Sequence, residues 1–299
     1  MGQPQAAVAF DLEALMAPTA KVEKYMAEFL ANRPFPGNLR DAIEYALLGG
    51  GKRLRPLLTL LSCQAVGGKH EQALAPAAAI EMIHAFSLVH DDLPAMDDDD
   101  LRRGRPTLHK HTSEAMAILA GDALLALAFE LLACRLKDAS VIGTITRELA
   151  VASNNMVAGQ VYDSIPDFDS EVSDREKLEI IHEHKTGALL RSACRMGAIC
   201  GGANAAQLDA LTHYAEHVGL MFQVVDDLLD ATGNTEDLGK AAGKDIEAGK
   251  LTYPGIIGVE ASKNEVKRLR SEAMHALEVF GDSANPLREL CEYMAVRTS

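Results

Sequence analysis

Two long apolar stretches of this chain each finish in aspartates, and few folds accept that arrangement twice. The first, "APAAAIEMIHAFSLVHDD" at 75–92, has Pro76 in its predicted first turn and Ile80, Ile83 and Leu88 at helical intervals. The second, "AQLDALTHYAEHVGLMFQVVDDLLDATGN" at 206–234, carries Asp226, Asp227 and Asp230 in its last turns, with Gly233 placed to end it. A helix C-terminus already bears partial negative charge, so carboxylates there are disfavoured. Two of them about 6 Å apart on one face repel by roughly 3 kcal/mol at an effective dielectric near 20. Apolar helices are buried, and the ends of long helices in one bundle can face each other across a cavity. Charge placed so poorly for stability, and placed twice, points to function rather than to a solvated face.

The remaining pattern is helical as well. Alternating β-branched runs are scarce, Trp is absent, and further helices are expected at 11–30, 38–48, 52–66, 112–137, 140–160, 174–200, 252–262 and 264–280. The breaks "NRPFPGN", "SIPDFDSEVSD" and "GNTEDLGKAAGKDIEAGK" read as loops inside a bundle, and no repeat period appears. The expectation is one all-α domain over 1–299.

Oxygen-only clusters suit hard cations, and Mg²⁺ typically takes one or two carboxylates together with waters and substrate phosphates. A calcium EF-hand does not fit, because "DDLPAMDDDDLR" lacks the central Gly and the twelfth-position Glu. Basic residues interleave with the acids. Lys52, Arg53 and Arg55 stand in "GGGKRLRP", Arg102, Arg103 and Arg105 in "LRRGRP", and Lys240, Lys244 and Lys250 after the second aspartate group. The first of these is no nucleotide P-loop, since Ala46 replaces the leading Gly and Arg53 the Ser or Thr. Arginine forks and lysine point charges are what an oligophosphate needs, so the whole reads as a metal and diphosphate site.

The net charge of −14, from 29 Lys and Arg against 43 Asp and Glu, argues against nucleic acid or an anionic membrane as partner. Five cysteines without a C-x-x-C pair suit a reducing cytoplasm. No secretory signal or lipidation motif is recognised, and without 18 uninterrupted apolar residues no membrane span is expected.

From about residue 38 to 262 the chain resembles the short-chain trans-prenyltransferases, and among them the bacterial farnesyl diphosphate synthases. "GGGKRLRP", "HDDLPAMDDDDLRRGRPT", "HKTGAL", "FQVVDDLLD", "DLGKAAGKD" and "KLTYP" carry the likeness in order. The resemblance implies an isoprenoid-synthase-type helical bundle around a central cavity, usually a homodimer, joining an allylic diphosphate to isopentenyl diphosphate. It implies Mg²⁺, three ions on one diphosphate, held by Asp91, Asp92 and Asp97 and by Asp226 with Asp227 and Asp230. Arg102, Lys185, Lys240 and Lys250 would meet the allylic diphosphate. Lys52, Arg55, His84 and Arg103 would hold the second one, and Thr186 and Gln223 would direct dipoles at the carbocation. Helical geometry would pair Asp91 with Asp98 rather than Asp97; the resemblance favours Asp97. Gln160 and Asp163 in "GQVYD" also fit, but "SIPDF" departs from the pattern and they are left out.

Product length is a steric matter. Phe86, five residues before Asp91, followed by the small Ser87, resembles the stop of synthases that end at fifteen carbons, so farnesyl diphosphate is expected, with geranylgeranyl next. A terpene cyclase would read N-D-x-x-S-x-x-x-E where this chain has "DDLLD", and a non-catalytic subunit would be expected to lose one motif.

Overall fold

The computed structural model describes residues 11–31, 33–232 and 250–296. Among the described residues it is helical apart from one hairpin of two two-residue strands. In chain order the elements are α1 (Leu12–Met16), α2 (Thr19–Ala31), α3 (Gly37–Leu47), α4 (Leu54–Ala65), α5 (His70–Asp91), β1 (Leu101–Arg102), β2 (Arg105–Pro106), α6 (Leu108–His111), α7 (Glu114–Arg135) and α8 (Ala139–Ser164). There follow α9 (Asp174–His182), a π-helical turn (Glu183–Gly187), α10 (Ala188–Gly201), α11 (Ala205–Thr232), α12 (Tyr253–Ile257), α13 (Val259–Ala276), a 3₁₀ segment (Glu278–Ala284) and α14 (Asn285–Val296).

The centre is α5, which packs on α2, α3, α4, α7 and α10. A helix so surrounded must be apolar on nearly every face, and Ala77, Ala78, Ile80, Met82 and Ile83 are all fully buried. On the other side α11 lies against α10 and α13. Buried side chains from α1 to α14 join in one core cluster. All five cysteines are free.

Several boundaries differ from the sequence reading for identifiable reasons. Helix α5 begins at His70, where the Lys69 N–H finds Gln72 Oε1 at 2.7 Å, so Pro76 lies inside the helix and not in its first turn. The stretch 11–30 is broken at Ala17 and Pro18. The stretch 174–200 is interrupted by the π turn, and α14 was not expected at all. By length and composition alone α5 and α7 would each suffice to cross a bilayer; 67% of the apolar window of α5 and 44% of that of α7 are buried inside the protein.

Candidate active site

The first aspartate group does not continue α5. After Asp91 the chain turns, and the Asp97 N–H bonds back to the Asp91 carbonyl at 2.9 Å. That return places Asp97 beside Asp91, whereas Asp98 takes a left-handed φ of 50° outside the helix. Straight-helix spacing therefore does not govern the pair. Burial pushes the Asp91 carboxyl up to about 6, with the Asp97 charge adding to the rise and Lys185 opposing it.

Asp92 is buried and gripped by Arg102, whose Nε lies 2.7 Å from Oδ1 and 2.9 Å from Oδ2. The Arg102 Nη2 lies 2.5 Å from Oδ1 as well, and engagement of two donor nitrogens by one carboxylate fixes the guanidinium plane. Arg102 sits on β1, and the hairpin is tied to α3 by Tyr45: its hydroxyl donates to the Pro106 carbonyl at 2.8 Å, and Arg105 lies 4.1 Å over its ring.

The glycine run brings backbone against these arginines. Gly51 has φ +126°, and a Cβ there would overlap the Arg103 guanidinium, which donates to the Gly50 carbonyl. The basic cluster of "GGGKRLRP" then divides. Arg53, in a left-handed conformation, turns inward to Glu81 at 2.8 Å, Glu23 at 2.9 Å and the Leu47 carbonyl at 2.8 Å. Lys52 is exposed and Arg55 half-buried. Burial, with the Arg103 charge against the pull of Glu81, brings Arg55 down to about 10. Burial and then the charges of Arg55, Arg103, Arg102 and Arg53 hold His84 well below the usual histidine range, so its imidazole is neutral. His84, Arg102 and Arg103 share a small cavity with Tyr45 and Glu81.

A larger cavity of about 880 Å³ opens between α8, α9 and α11, lined by Asp97, Asp163, Lys185, Gln223, Asp226, Asp227 and Lys250. Lys185 belongs to the π turn. The turn presses its backbone onto Gly159 of α8, where a Cβ would collide with the Lys185 N and Cα. Lys185 Nζ lies 2.6 Å from Asp163 Oδ2, and Lys250 Nζ lies 3.8 Å from the same oxygen. Burial pushes the Asp163 carboxyl up, but the charge and hydrogen bond of Lys185, with Lys250 and His182 adding, hold it below the ordinary aspartate value. The Thr186 hydroxyl donates to Gln223 Oε1 at 2.7 Å. Asp230 follows Asp226 by one turn on α11.

Asp97 from the first aspartate group, Asp226 and Asp227 from the second, Lys185, Lys250 and Gln223 therefore line one space, whereas Asp92 and Arg102 line the smaller cavity. Lys240 lies outside the described residues. Among the described residues no three His, Cys, Asp or Glu side chains form a preformed metal cage. The donor chemistry still fits a hard cation, because Asp97, Asp226 and Asp227 bring carboxylate oxygens to one cavity. Sequence reasoning passed over Asp163, although "GQVYD" held the signal, and it missed Glu81, whose role shows only through Arg53.

On the α5 stripe that leads to Asp91, His84, Ser87 and Leu88 are half-buried while Phe86 is buried. The Phe86 ring packs edge-on against His90 at 5.5 Å. Ser87 donates to the His84 carbonyl at 2.9 Å.

Residues 36–282 match the family model described as polyprenyl synthetase. A chloroplastic geranylgeranyl pyrophosphate synthase of Arabidopsis thaliana is 46% identical over 97% of this chain and 83% of its own length. One from Catharanthus roseus is 46% identical over 96% of this chain and 82% of its own. Among solved structures, an FPP/GFPP synthase of Zymomonas mobilis, 38% identical, matches with a TM-score of 0.83 over 95% of this chain and 99% of that one. A geranylgeranyl pyrophosphate synthetase of Pyrococcus horikoshii, 29% identical, matches at 0.86 over 95% and 98%. With the isoprenoid-synthase helical fold and a match of this extent, the chain belongs to the polyprenyl synthetase family and is a prenyltransferase that performs trans-prenyl condensation.

Proposed function

We propose that the cavity joins isopentenyl diphosphate head to tail with an allylic diphosphate in the presence of Mg²⁺, and that elongation ends at geranylgeranyl diphosphate. Asp91 and Asp97 on one wall, and Asp226 with Asp230 on the other, would hold the metal. When bound, Mg²⁺ supplies Lewis-acid stabilisation of charge on the departing diphosphate. Lys185 and Lys250, gathered by Asp163, add fixed positive charge to the same oxygens, as do Arg102, aligned by Asp92, and Lys240. The allylic C–O bond breaks with its electron pair leaving on the diphosphate, the isopentenyl double bond attacks the cation, and the released pyrophosphate takes the proton. Lys52, Arg55, His84 and Arg103 hold the second diphosphate, with neutral His84 acting as a hydrogen-bond partner. Thr186 and Gln223 turn oxygen dipoles toward the cation.

The observation that carries the C20 product is the stripe of α5. At about 100° per residue, Ser87 stands only about 40° off the line of Asp91 while Phe86 is about 140° away. A growing tail passing below Asp91 thus meets a small hydroxyl, and the relatives named geranylgeranyl pyrophosphate synthases favour the same length. A C15 stop is the second reading, favoured by the bulk of Phe86 near the same turn. Product chains made from isopentenyl and dimethylallyl diphosphate, dephosphorylated and sized, separate the two. The parent is expected to yield geranylgeraniol, Ser87→Phe farnesol, and Phe86→Ala no longer alcohol. Farnesol from the parent with longer chains from Phe86→Ala would instead establish the second reading.

We also propose a homodimer. The outward face of α7 presents Ile118, 44% exposed, and Leu119, 56% exposed, and α8 adds Val157 and Val161. Exposed apolar side chains on so hydrophobic a helix favour a second copy as their cover. Leu119→Glu is expected to convert a dimer into a monomer in sedimentation equilibrium; a parent that sediments as a monomer defeats the idea.

A further inference from the structure

Of the two adjacent aspartates on α11, Asp226 is half-buried and Asp227 is buried. Asp227 is 8% exposed, and its Oδ2 accepts the Tyr253 N–H at 2.9 Å. His182 Nε2 lies 3.5 Å from the same oxygen, and the His182 ring stacks on the Tyr253 ring with 5.9 Å between centroids and 10° between planes. Tyr253 itself is 1% exposed. One carboxylate thus joins three elements: α11, the end of α9, and the segment that leads into α12. Thr252 completes the join, capping α12 by accepting the Gly255 N–H at 3.2 Å.

That segment has a functional load. Lys250 stands three residues before the anchored amide and 3.8 Å from Asp163, which in turn holds Lys185 at 2.6 Å. Successive helical residues diverge by about 100°, so Asp226 and Asp227 leave α11 in different directions although both reach the cavity lining. A carboxylate oxygen that already accepts a buried amide, with an imidazole nitrogen 3.5 Å away, is poorly placed to serve a cation as well.

We propose that Asp227 is a positioning residue and not a metal ligand: it latches the 250–253 segment so that Lys250 stands beside Asp163 and Lys185 in the cavity. The latch rests on geometry alone, whereas its value for binding rests on the reading above in which Lys250 meets a diphosphate. Asp227→Asn keeps an acceptor for the Tyr253 amide and an amide group to face His182, whereas Asp227→Ala keeps neither.

Three measurements test it. Hydrogen exchange at the Tyr253 amide should be nearly unchanged in Asp227→Asn and faster by about a hundredfold or more in Asp227→Ala, since an amide released from a buried acceptor opens locally. Binding of inorganic pyrophosphate with Mg²⁺, followed by calorimetry, should weaken about tenfold in Asp227→Ala and in Lys250→Ala, and by no more in the double variant, because the two act through one contact. The Mg²⁺ concentration needed for that binding should rise about tenfold or more in Asp226→Asn, but by less than about threefold in Asp227→Asn, as expected when only the former loses a ligand. A Mg²⁺ requirement in Asp227→Asn as large as that in Asp226→Asn overturns the proposal, as does undiminished protection of the Tyr253 amide in Asp227→Ala. If exchange behaves as expected while neither Lys250→Ala nor Asp227→Ala changes pyrophosphate affinity, the latch stands and the diphosphate role of Lys250 falls.

Discussion

Asp91→Asn is expected to lower kcat by about a thousandfold, a loss of about 4 kcal/mol of transition-state stabilisation, while raising the melting temperature. The two effects share a cause. Burial at the end of α5 raises the Asp91 carboxyl to about 6, so the folded protein binds that proton more tightly than the unfolded chain does. The sign follows directly. Above the folded value the ionised carboxylate costs stability, and the penalty vanishes once pH falls below the ordinary aspartate range and both states are protonated. Asparagine removes the penalty, worth about 1–2 kcal/mol near neutral pH after allowance for solvent screening, or roughly 2–4 °C. The gain should shrink as pH is lowered from 7 to 4. In the parent, the Mg²⁺ needed for half-maximal activity should rise about tenfold per pH unit below 6, one proton competing with the metal. Melting curves across that range check the first claim and Mg²⁺ titrations the second. A variant that melts lower at pH 7 would show that the Asp91 carboxylate is not desolvated.

The aspartate ends of α5 and α11 were legible because charge at the wrong end of an apolar helix is a conflict that sequence displays openly. The glycine run before α4 was legible too, though not the division of labour inside it: nothing in "GGGKRLRP" distinguishes Arg53, which turns inward to Glu81, from Arg55, which stays half-buried with its charge acting on His84. The pairing of Asp97 with Asp91 depends on a turn that no helical wheel contains. Likewise the π turn carrying Lys185 forms where the Gly159 surface lets a backbone approach, which is a tertiary fact invisible to local periodicity. Helix α14 is a different case. Pro286 near its start and Leu287, Leu290, Cys291 and Met294 at helical spacing were readable in principle, in a short segment that carries no motif. Phe86 is legible for its bulk, but whether a growing tail meets that bulk depends on the direction of its side chain around α5, which no residue type displays.

Glu81→Ala is expected to destabilise the fold by about 3–5 kcal/mol, because removing one partner of a buried ion pair strands the other. Glu81 and Arg53 are each 3% exposed at the side chain and 2.8 Å apart. Glu23 also reaches Arg53, but it is 47% exposed and its attraction is screened. The corresponding fall in melting temperature is roughly 6–10 °C for a chain of this size. Glu81 has a second task. Its negative charge raises Arg55 and Arg103 against burial, so it acts as the resident counter-anion of the cluster proposed above to receive a diphosphate. Loss of Glu81 should therefore be offset in part by inorganic pyrophosphate, and millimolar pyrophosphate should raise the melting temperature of Glu81→Ala by more than it raises that of the parent. Replacing both partners with apolar residues, Arg53→Met with Glu81→Leu, should recover most of the stability but none of the excess response to pyrophosphate, since the extra uncompensated cation is gone. Equal pyrophosphate shifts in the parent and in Glu81→Ala would mean that Glu81 serves Arg53 alone and that the arginine cluster is set by backbone geometry, above all by the turn at Gly50 and Gly51.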